Sequence, residues 1–395
     1  MNAMPELSVV MPCLNEADTL ASCVQKAFEG IKAAGIPGEV IVADNGSTDG
    51  SQQIATSLGA RVVNVKEKGY GSALMGGIEA ARSPWVIMGD ADDSYDFREI
   101  PKFVEKLKAG FELVQGCRLP TGGGRVLPGA MPFLHRWWGN PMFTWLTRWW
   151  FHAPIHDVYC GLRAFTKDLY SRIGLRCTGM EFATEMIIKS CFAHARVAEV
   201  PITLHPDGRK AHAPHLKTFR DGWRTLRFFL LFSPRWLFLV PGCLLVFGGV
   251  LGFGVALSGR FIHDATLEIH ALVISSLFIL CGYQSVIFAI LTKTFGILEG
   301  FLPRDRRLRT FFKIVNLERG LVASLGGLLV GVGLLAWAVI GWHASGAGRL
   351  DFSQTMRLVV PGATITALAF QTVCSSFFMS ILGLSRKNPE YLNDV

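Results

Sequence analysis

Four apolar runs in the C-terminal part of the chain, Leu237–Leu257, Ile269–Thr292, Leu321–Trp342 and Leu358–Leu384, are each long enough to cross a hydrocarbon core of about 30 Å. A helix that is apolar all round needs lipid or a very large core around it, and a chain of 395 residues cannot supply such a core four times over. A transmembrane region of four helices is therefore expected over 237–395, after a globular part. The connection between the second and third runs carries Lys293, Arg304, Arg306, Arg307, Arg309, Lys313 and Arg319, whereas the other two hold little beyond Arg260 and Arg349. Positive-inside asymmetry then puts this basic loop, and with it both termini, on the cytoplasmic side of a plasma or inner membrane.

Half of the residues are hydrophobic and 18% are charged, which excludes a disordered chain. The net charge of +8 is shared equally between the globular and apolar parts, so no nucleic-acid partner is expected. Nine cysteines fall in no C-x-x-C pair or metal-ligand spacing, as expected of reduced thiols in a domain facing the cytosol. Near the start, Leu7–Met11 is a short apolar run preceded by Glu6, which reads as a strand and not as a targeting signal.

From Leu7 to about Gly116, short β-branched runs alternate with helix-length amphipathic stretches, the pattern of an α/β domain with a mostly parallel sheet. Strands are expected at Leu7–Met11, Glu39–Ala43, Arg61–Val65, Trp85–Met88 and Leu113–Gln115. Helices are expected near Asp18–Ala34, Thr48–Leu58, Ser72–Ala81 and Arg98–Lys108. Polar residues follow the strands: Asn15 and Glu16, then Asp44 and Asn45, then Asp90 and Asp92. Ligands of open α/β sheets bind outside the carboxyl ends of the strands, so these groups should meet in one crevice. Two stretches, Arg136–His152 and Phe219–Phe238, interleave Trp and Phe with basic residues, a composition suited to helices lying at the headgroup level. The second equally suits a linker helix packed on the domain, and as an interfacial amphipathic segment it is bounded at about 217–236.

Asp90-Ala91-Asp92 carries the strongest chemical signal, because two carboxylates two residues apart can share a divalent cation with a diphosphate. Alone it also fits a solvated turn, and Asp44-Asn45-Gly46 and Asp49 also fit a turn and a helix cap. Taken in order, Pro12-Cys13-Leu14-Asn15-Glu16, Asp44-Asn45-Gly46-Ser47-Thr48-Asp49, Lys68-Gly69-Tyr70-Gly71 and Asp90-Ala91-Asp92 resemble the family-2 glycosyltransferases of GT-A fold. The resemblance implies that Pro12, Leu14, Asn15, Glu16, Asp44, Asn45, Lys68 and Gly69 bind a nucleotide-diphosphate sugar such as a UDP- or GDP-hexose. It further implies that Asp90, Ala91 and Asp92 hold ribose, diphosphate and a Mg²⁺ or Mn²⁺ ion.

Further along, Gly116-Cys117-Arg118, Asp157-Val158-Tyr159-Cys160-Gly161-Leu162-Arg163 and Glu199-Val200-Pro201-Ile202 followed by Arg209 and Lys217 resemble the polyprenyl-phosphate sugar transferases, the dolichol-phosphate mannose and glucose synthases. That likeness implies a GT-A domain over about 1–216 that moves one sugar, with inversion, to a polyprenyl phosphate (dolichyl or undecaprenyl). Asp92, Arg118 and Arg209 would be catalytic, and Arg118, Arg125, Arg136, Arg163, Arg209 and Lys217 would bind phosphate of donor or acceptor. Asp157 and Arg163 fit a structural ion pair as well. The chain departs from the family where Gln usually stands two residues after the second Asp: here Ser94 follows an extra Asp93, so Ser94, Asp93 or water completes the metal shell. Two rivals remain: a processive polysaccharide synthase, although Phe232 stands where its Q-x-x-R-W motif has Gln, and a non-catalytic nucleotide-sugar-binding membrane protein. A homo-oligomer is compatible with the sequence.

Overall fold

The computed structural model describes residues 4–209, 218–258, 265–300, 302–303, 305–344 and 352–383. It divides into two compact units, one ending at Phe228 and the other beginning at Phe229.

The first unit is built from β1 (Leu7–Cys13), α1 (Leu20–Ala33), β2 (Gly38–Asp44), α2 (Ser51–Ser57), β3 (Arg61–Asn64), α3 (Tyr70–Ala80), β4 (Trp85–Met88), α4 (Ile100–Lys108) and β5 (Leu113–Cys117). There follow β6 (Arg125–Val126), α5 (Asn140–Phe151), β7 (Arg163–Thr166), α6 (Lys167–Ile173), α7 (Phe182–Phe192), β8 (Val197–Pro201) and β9 (Thr203–Leu204). Helix α8 (Thr218–Leu231) crosses the division between the units.

Leu7, Val9, Val10 and Met11 are all fully buried, because a strand in the middle of such a sheet is covered on both faces and so reads as a continuous apolar run. In α1 the buried positions Leu20, Cys23, Val24, Ala27 and Ile31 repeat at helical spacing and face the sheet. Gly30 lets that helix approach the backbone carbonyl of Phe97, which any side chain would strike.

The main sheet has the order β3-β2-β1-β4-β7-β5-β8. Strand β7 runs antiparallel to both β4 and β5, while β5 and β8 are parallel, so the sheet is mostly parallel as expected. The small parallel pair β6–β9 gives the glycine-rich stretch Gly122-Gly123-Gly124 a fixed neighbour. All the carboxyl ends of β1, β2 and β4 lie along one edge, where Gly89 N donates to Val10 O at 3.2 Å and Asn45 N to Cys13 O at 2.9 Å. That edge carries the site.

In α5 the buried face is Asn140, Phe143, Thr144, Thr147 and Phe151. The opposite side exposes Met142, Trp145 and Trp149, and the turn before it exposes Trp137 and Trp138. An arrangement with five large apolar side chains in water is uncommon on a soluble surface.

In the second unit α9 (Val240–Ser258), α10 (Ala265–Leu298), α12 (Leu317–Ala344) and α13 (Phe352–Gly383) are long, and a short α11 (Arg306–Ile314) precedes α12. Apolar stretches long enough to cross a membrane cover Arg235–Ser258, Thr266–Leu298, Leu317–Ala344 and Ser353–Gly383, overlapping all four expected spans. Exposed Val322, Leu329, Trp337 and Phe370 suit a lipid surround. Between α10 and α13, Arg357 pairs with Glu268 (Nη2–Oε2 2.9 Å), and the hydroxyls of Ser276 and Thr364 meet at 2.6 Å, which satisfies polar groups that lipid cannot.

Candidate active site

The loops after β1 and β2 are tied to one another. Asn15, held at φ +60°, donates its amide to Ser47 Oγ (2.9 Å), and its Oδ1 accepts from Thr48 N (2.8 Å). Glu16 N donates to Ser51 Oγ (3.0 Å) and Ala17 N to Asp49 Oδ2 (2.9 Å), so Asp49 ties the first loop as well as receiving Ser51 N.

Asp44 is buried; its carboxylate takes the amides of Gly46 and Ser47 and a 2.7 Å hydrogen bond from Gln52 Nε2. Asn45 shapes the neighbouring loop by donating to the carbonyls of Val65 and Glu67 and accepting from Gly69 N at 2.9 Å. Lys68 donates to Asn45 O. Pro12 is half-buried and Leu14 exposed beside them.

At the end of β4 the two carboxylates differ. Asp90 accepts a 2.8 Å hydrogen bond from the Tyr70 hydroxyl. Burial, together with the charge of Asp92, pushes the Asp90 carboxyl up to about 6. Asp92 Oδ1 accepts from the amide and hydroxyl of Ser94 (3.0 and 2.6 Å), and its Oδ2 lies 2.8 Å from Arg209 Nη2. Arg209 Nε sits 3.1 Å from Glu16 Oε2, so one guanidinium draws together the ends of β1 and β4. The segment before Arg209 is fixed by His205 N donating to Ser94 O and Gly208 N to Asp92 O, each at 2.9 Å.

The Asp93 side chain turns away from Asp90 and Asp92. Its carboxylate accepts from Lys26 Nζ (2.7 Å) and Ser22 Oγ (3.1 Å) on α1, directed there by a backbone at φ +60°. The Asp90–Asp92 pair offers the carboxylate oxygens that a hard divalent cation takes, and of the two only Asp92 pairs with Arg209, so an ionised Asp90 would still gain from a cation's charge.

The second half of the domain corrects two expectations. Asp157 pairs with Arg118 instead of Arg163: Arg118 Nε and Nη2 reach its two oxygens at 2.7 and 2.8 Å, and Arg118 N donates to Oδ2 at 3.0 Å. This pair holds Arg118 in place and buries most of its guanidinium. Arg163, expected to bind phosphate, is wholly buried in the core and donates to the carbonyls of Ala183 (2.6 Å) and Cys160 (2.7 Å). No phosphate could reach it there without unpacking β7.

Arg125 is exposed, and Arg136 stacks on Trp137 with its guanidinium carbon 5.5 Å from the ring centre. Lys217 lies outside the described residues. Sequence reasoning passed over Tyr70 and Tyr95; Tyr95, whose hydroxyl accepts from Gly161 N at 2.8 Å and meets Arg118 Nη1 at 3.5 Å, links the loops after β4 and before β7. The only sequence cue was the tyrosine between Gly69 and Gly71 and the one directly after Ser94.

Comparison with known proteins gives these loops their context. The profile "Glycosyl transferase family 2" matches residues 8–174, and "Glycosyltransferase family 2 C-terminal transmembrane region" matches residues 290–383. The low-salt glycan biosynthesis hexosyltransferase Agl6 of Haloferax volcanii is 36% identical over 386 residues, covering 96% of this chain and 89% of that protein. The chain belongs to glycosyltransferase family 2. Another family 2 relative, the dolichyl-phosphate hexose transferase of Haloferax volcanii, is 31% identical over 221 residues, covering 55% of this chain and 89% of that protein. A solved structure of glucosyl-3-phosphoglycerate synthase from Mycobacterium tuberculosis overlaps 57% of this chain and 79% of that one, with a TM-score of 0.45 at 21% identity. This glycosyltransferase thus joins a GT-A-like α/β domain to a membrane region of four candidate spanning helices, and it is an integral membrane enzyme.

Proposed function

We propose that the chain transfers one hexose from a nucleotide-diphosphate sugar to a polyprenyl phosphate, with inversion at the sugar carbon. The observation that carries this reading is the cluster of Glu16, Asp90, Asp92 and Arg209 at the ends of β1 and β4, in a chain that also carries membrane spans. The acceptor for such an enzyme is best sought in the bilayer. A phosphate monoester is already anionic at neutral pH, so its oxygen attacks the sugar C1 without a strong general base. The new C1–O bond forms as the C1–O bond to the nucleoside diphosphate breaks, and the electron pair leaves on the diphosphate.

Asp90 and Asp92 would hold the Mg²⁺ or Mn²⁺ ion, which when bound neutralises charge on the leaving diphosphate. Pro12, Leu14, Asn15, Glu16, Asp44, Asn45, Lys68 and Gly69 frame the nucleotide pocket. Ser94 steadies Asp92 through the 2.6 Å bond from its hydroxyl, a supporting task in place of direct ligation. Arg209, whose Nη2 and Nε already face Asp92 and Glu16, would offer its remaining guanidinium N–H groups to the acceptor or leaving-group phosphate, and Lys217, Arg125 and Arg136 would add charge at the entry. Arg118 belongs to the frame of the site, since Asp157 holds it.

The exposed aromatic row on α5, with Arg136 and Arg148, suits contact with the headgroup layer, which would bring a lipid phosphate to the crevice. We assign the segment 217–236 a similar interfacial position. The basic loop between the second and third spans supports cytoplasmic termini and a cytoplasmic catalytic domain. A donor panel of UDP- and GDP-hexoses with short-chain polyprenyl phosphate, read by mass spectrometry, tests the proposal. A single-hexose lipid phosphate supports it, whereas polymer or no transfer with any donor contradicts it.

A further inference from the structure

Tyr70 stands at the first turn of α3, and its hydroxyl donates to Asp90 Oδ1 at 2.8 Å. The other oxygen, Oδ2, lies against the backbone of Gly161, so close that a methyl group at that glycine would come within 2.6 Å of it. One carboxylate is thereby held between a phenol on α3 and a bare backbone ahead of β7.

The position of Tyr70 is itself fixed from behind. Gly69 and Gly71 flank it, and each packs directly on carbonyls of the loop before α7: Gly69 on that of Thr178, Gly71 on that of Cys177. Ser72 N donates to Thr178 O at 3.2 Å. Gly69 also has φ +134°, which L residues rarely adopt.

That loop is braced by an ion pair remote from the carboxylate cluster. Glu185 and Lys189 on α7 are 1% and 5% exposed and lie 2.9 Å apart. Glu185 Oε2 accepts from the amides of Arg176 (3.0 Å) and Cys177 (2.8 Å), while Lys189 donates to Gly174 O at 2.6 Å. A buried pair of this kind persists only where its remaining hydrogen-bonding capacity is used, and here it is used on the loop that seats Tyr70.

We infer that Tyr70 is a positioning residue for cation binding: its hydroxyl, seated by the Glu185–Lys189 brace, orients the Asp90 carboxylate toward the ion shared with Asp92. This rests on the proposed reading of Asp90 and Asp92 as metal ligands. Groups that orient a ligand in this way contribute about 10- to 100-fold to metal affinity. Phenylalanine fills the same space and lacks only the oxygen, so Tyr70→Phe isolates the hydrogen bond.

The experiment is a Mn²⁺ titration of the detergent-solubilised full chain with UDP or GDP present, followed by electron paramagnetic resonance of the free ion. Thermal unfolding of each protein is recorded alongside. The expected result is that Tyr70→Phe weakens Mn²⁺ binding about tenfold or more while its cation-free unfolding temperature stays close to that of the wild type. Gly161→Ala, which presses on Asp90 Oδ2 from the other side, should weaken binding in the same direction. Equal Mn²⁺ affinity in wild type and Tyr70→Phe overturns the inference and leaves the metal reading standing. Absence of Mn²⁺ binding in the wild type with either nucleotide overturns the metal reading, and the inference with it.

Discussion

Asp93 adjoins Asp92 in the chain, yet its carboxylate lies 2.7 Å from Lys26 Nζ on α1 and takes no place beside Asp90. Three consecutive carboxylate-bearing or small residues, Asp90 to Asp92, are thus followed by one whose task is to anchor the loop to a helix. Asp93→Asn should therefore cost about 1 kcal/mol of stability, because the pair is partly exposed and shares Asp93 with Ser22. Its Mn²⁺ affinity should match the wild type. Thermal unfolding and a cation titration on the same preparation check both halves, and a large loss of affinity with stability intact would contradict this placement.

Arg209 makes its shortest charged contact with Asp92 and a second with Glu16. Arg209→Ala should lower kcat of the folded enzyme by about 100-fold, equivalent to about 2.7 kcal/mol, and should also lower stability, because Glu16 and Asp92 lose the guanidinium that joins them. Arg209→Lys should recover part of the loss, since an ammonium replaces the charge without the fork. Steady-state kinetics at saturating acceptor measure this, and normal turnover by the alanine variant would remove Arg209 from the mechanism.

The carboxyl of Asp90 is pushed up to about 6, first by burial and then by Asp92. A raised acid pKa means that the folded chain holds this proton more tightly than the unfolded one. Its contribution to stability is fully present below the unfolded value near 4 and is lost as pH rises through about 6. A cation competes with that same proton, so Mn²⁺ should raise the unfolding temperature more at pH 7.5 than at pH 5.5. Differential scanning fluorimetry with and without Mn²⁺ across this range provides the check; a pH-independent increment would contradict it.

Trp145 and Trp149 stack with ring centres 5.0 Å apart on the exposed face of α5, with Trp137 open to solvent on the preceding turn. Changing Trp137, Trp145 and Trp149 to Ala should raise KM for long polyprenyl acceptors several-fold and leave short water-soluble analogues nearly unaffected. Equal losses with both acceptor classes would show that these rings shape the site itself and not its contact with the bilayer. The stability of the domain should change little, because the buried face of α5 is untouched.

The strands β1, β2 and β4 and the polar residues after them were legible because each is a local signal: an apolar run, then a turn with carboxylates. The four spans were legible for the same reason. Strand β7 was not, since four residues beginning with a buried arginine look like a surface turn until β4 and β5 close around them. The pairing of Arg118 with Asp157 and of Arg209 with Glu16 joins residues far apart in sequence, and spacing alone ranks no partner above another. Nor does the sequence distinguish Asp93 from its neighbours: the positive φ that turns it toward Lys26 belongs to the folded loop. Tyr70 was hidden within a glycine motif whose tight packing on Thr178 shows only in three dimensions.

Asp90 and Asp92 are proposed to serve metal-dependent transfer of a single hexose to a lipid phosphate. Full-length protein in liposomes containing polyprenyl phosphate, supplied with each nucleotide-hexose in turn and Mn²⁺ or Mg²⁺, measures it most directly when the lipid fraction is read by mass spectrometry. The expected product is a lipid phosphate heavier by one hexose with at least one donor, lost in excess EDTA and in Asp92→Ala. Undiminished product from Asp92→Ala in excess EDTA, or a product carrying many sugars, would contradict it.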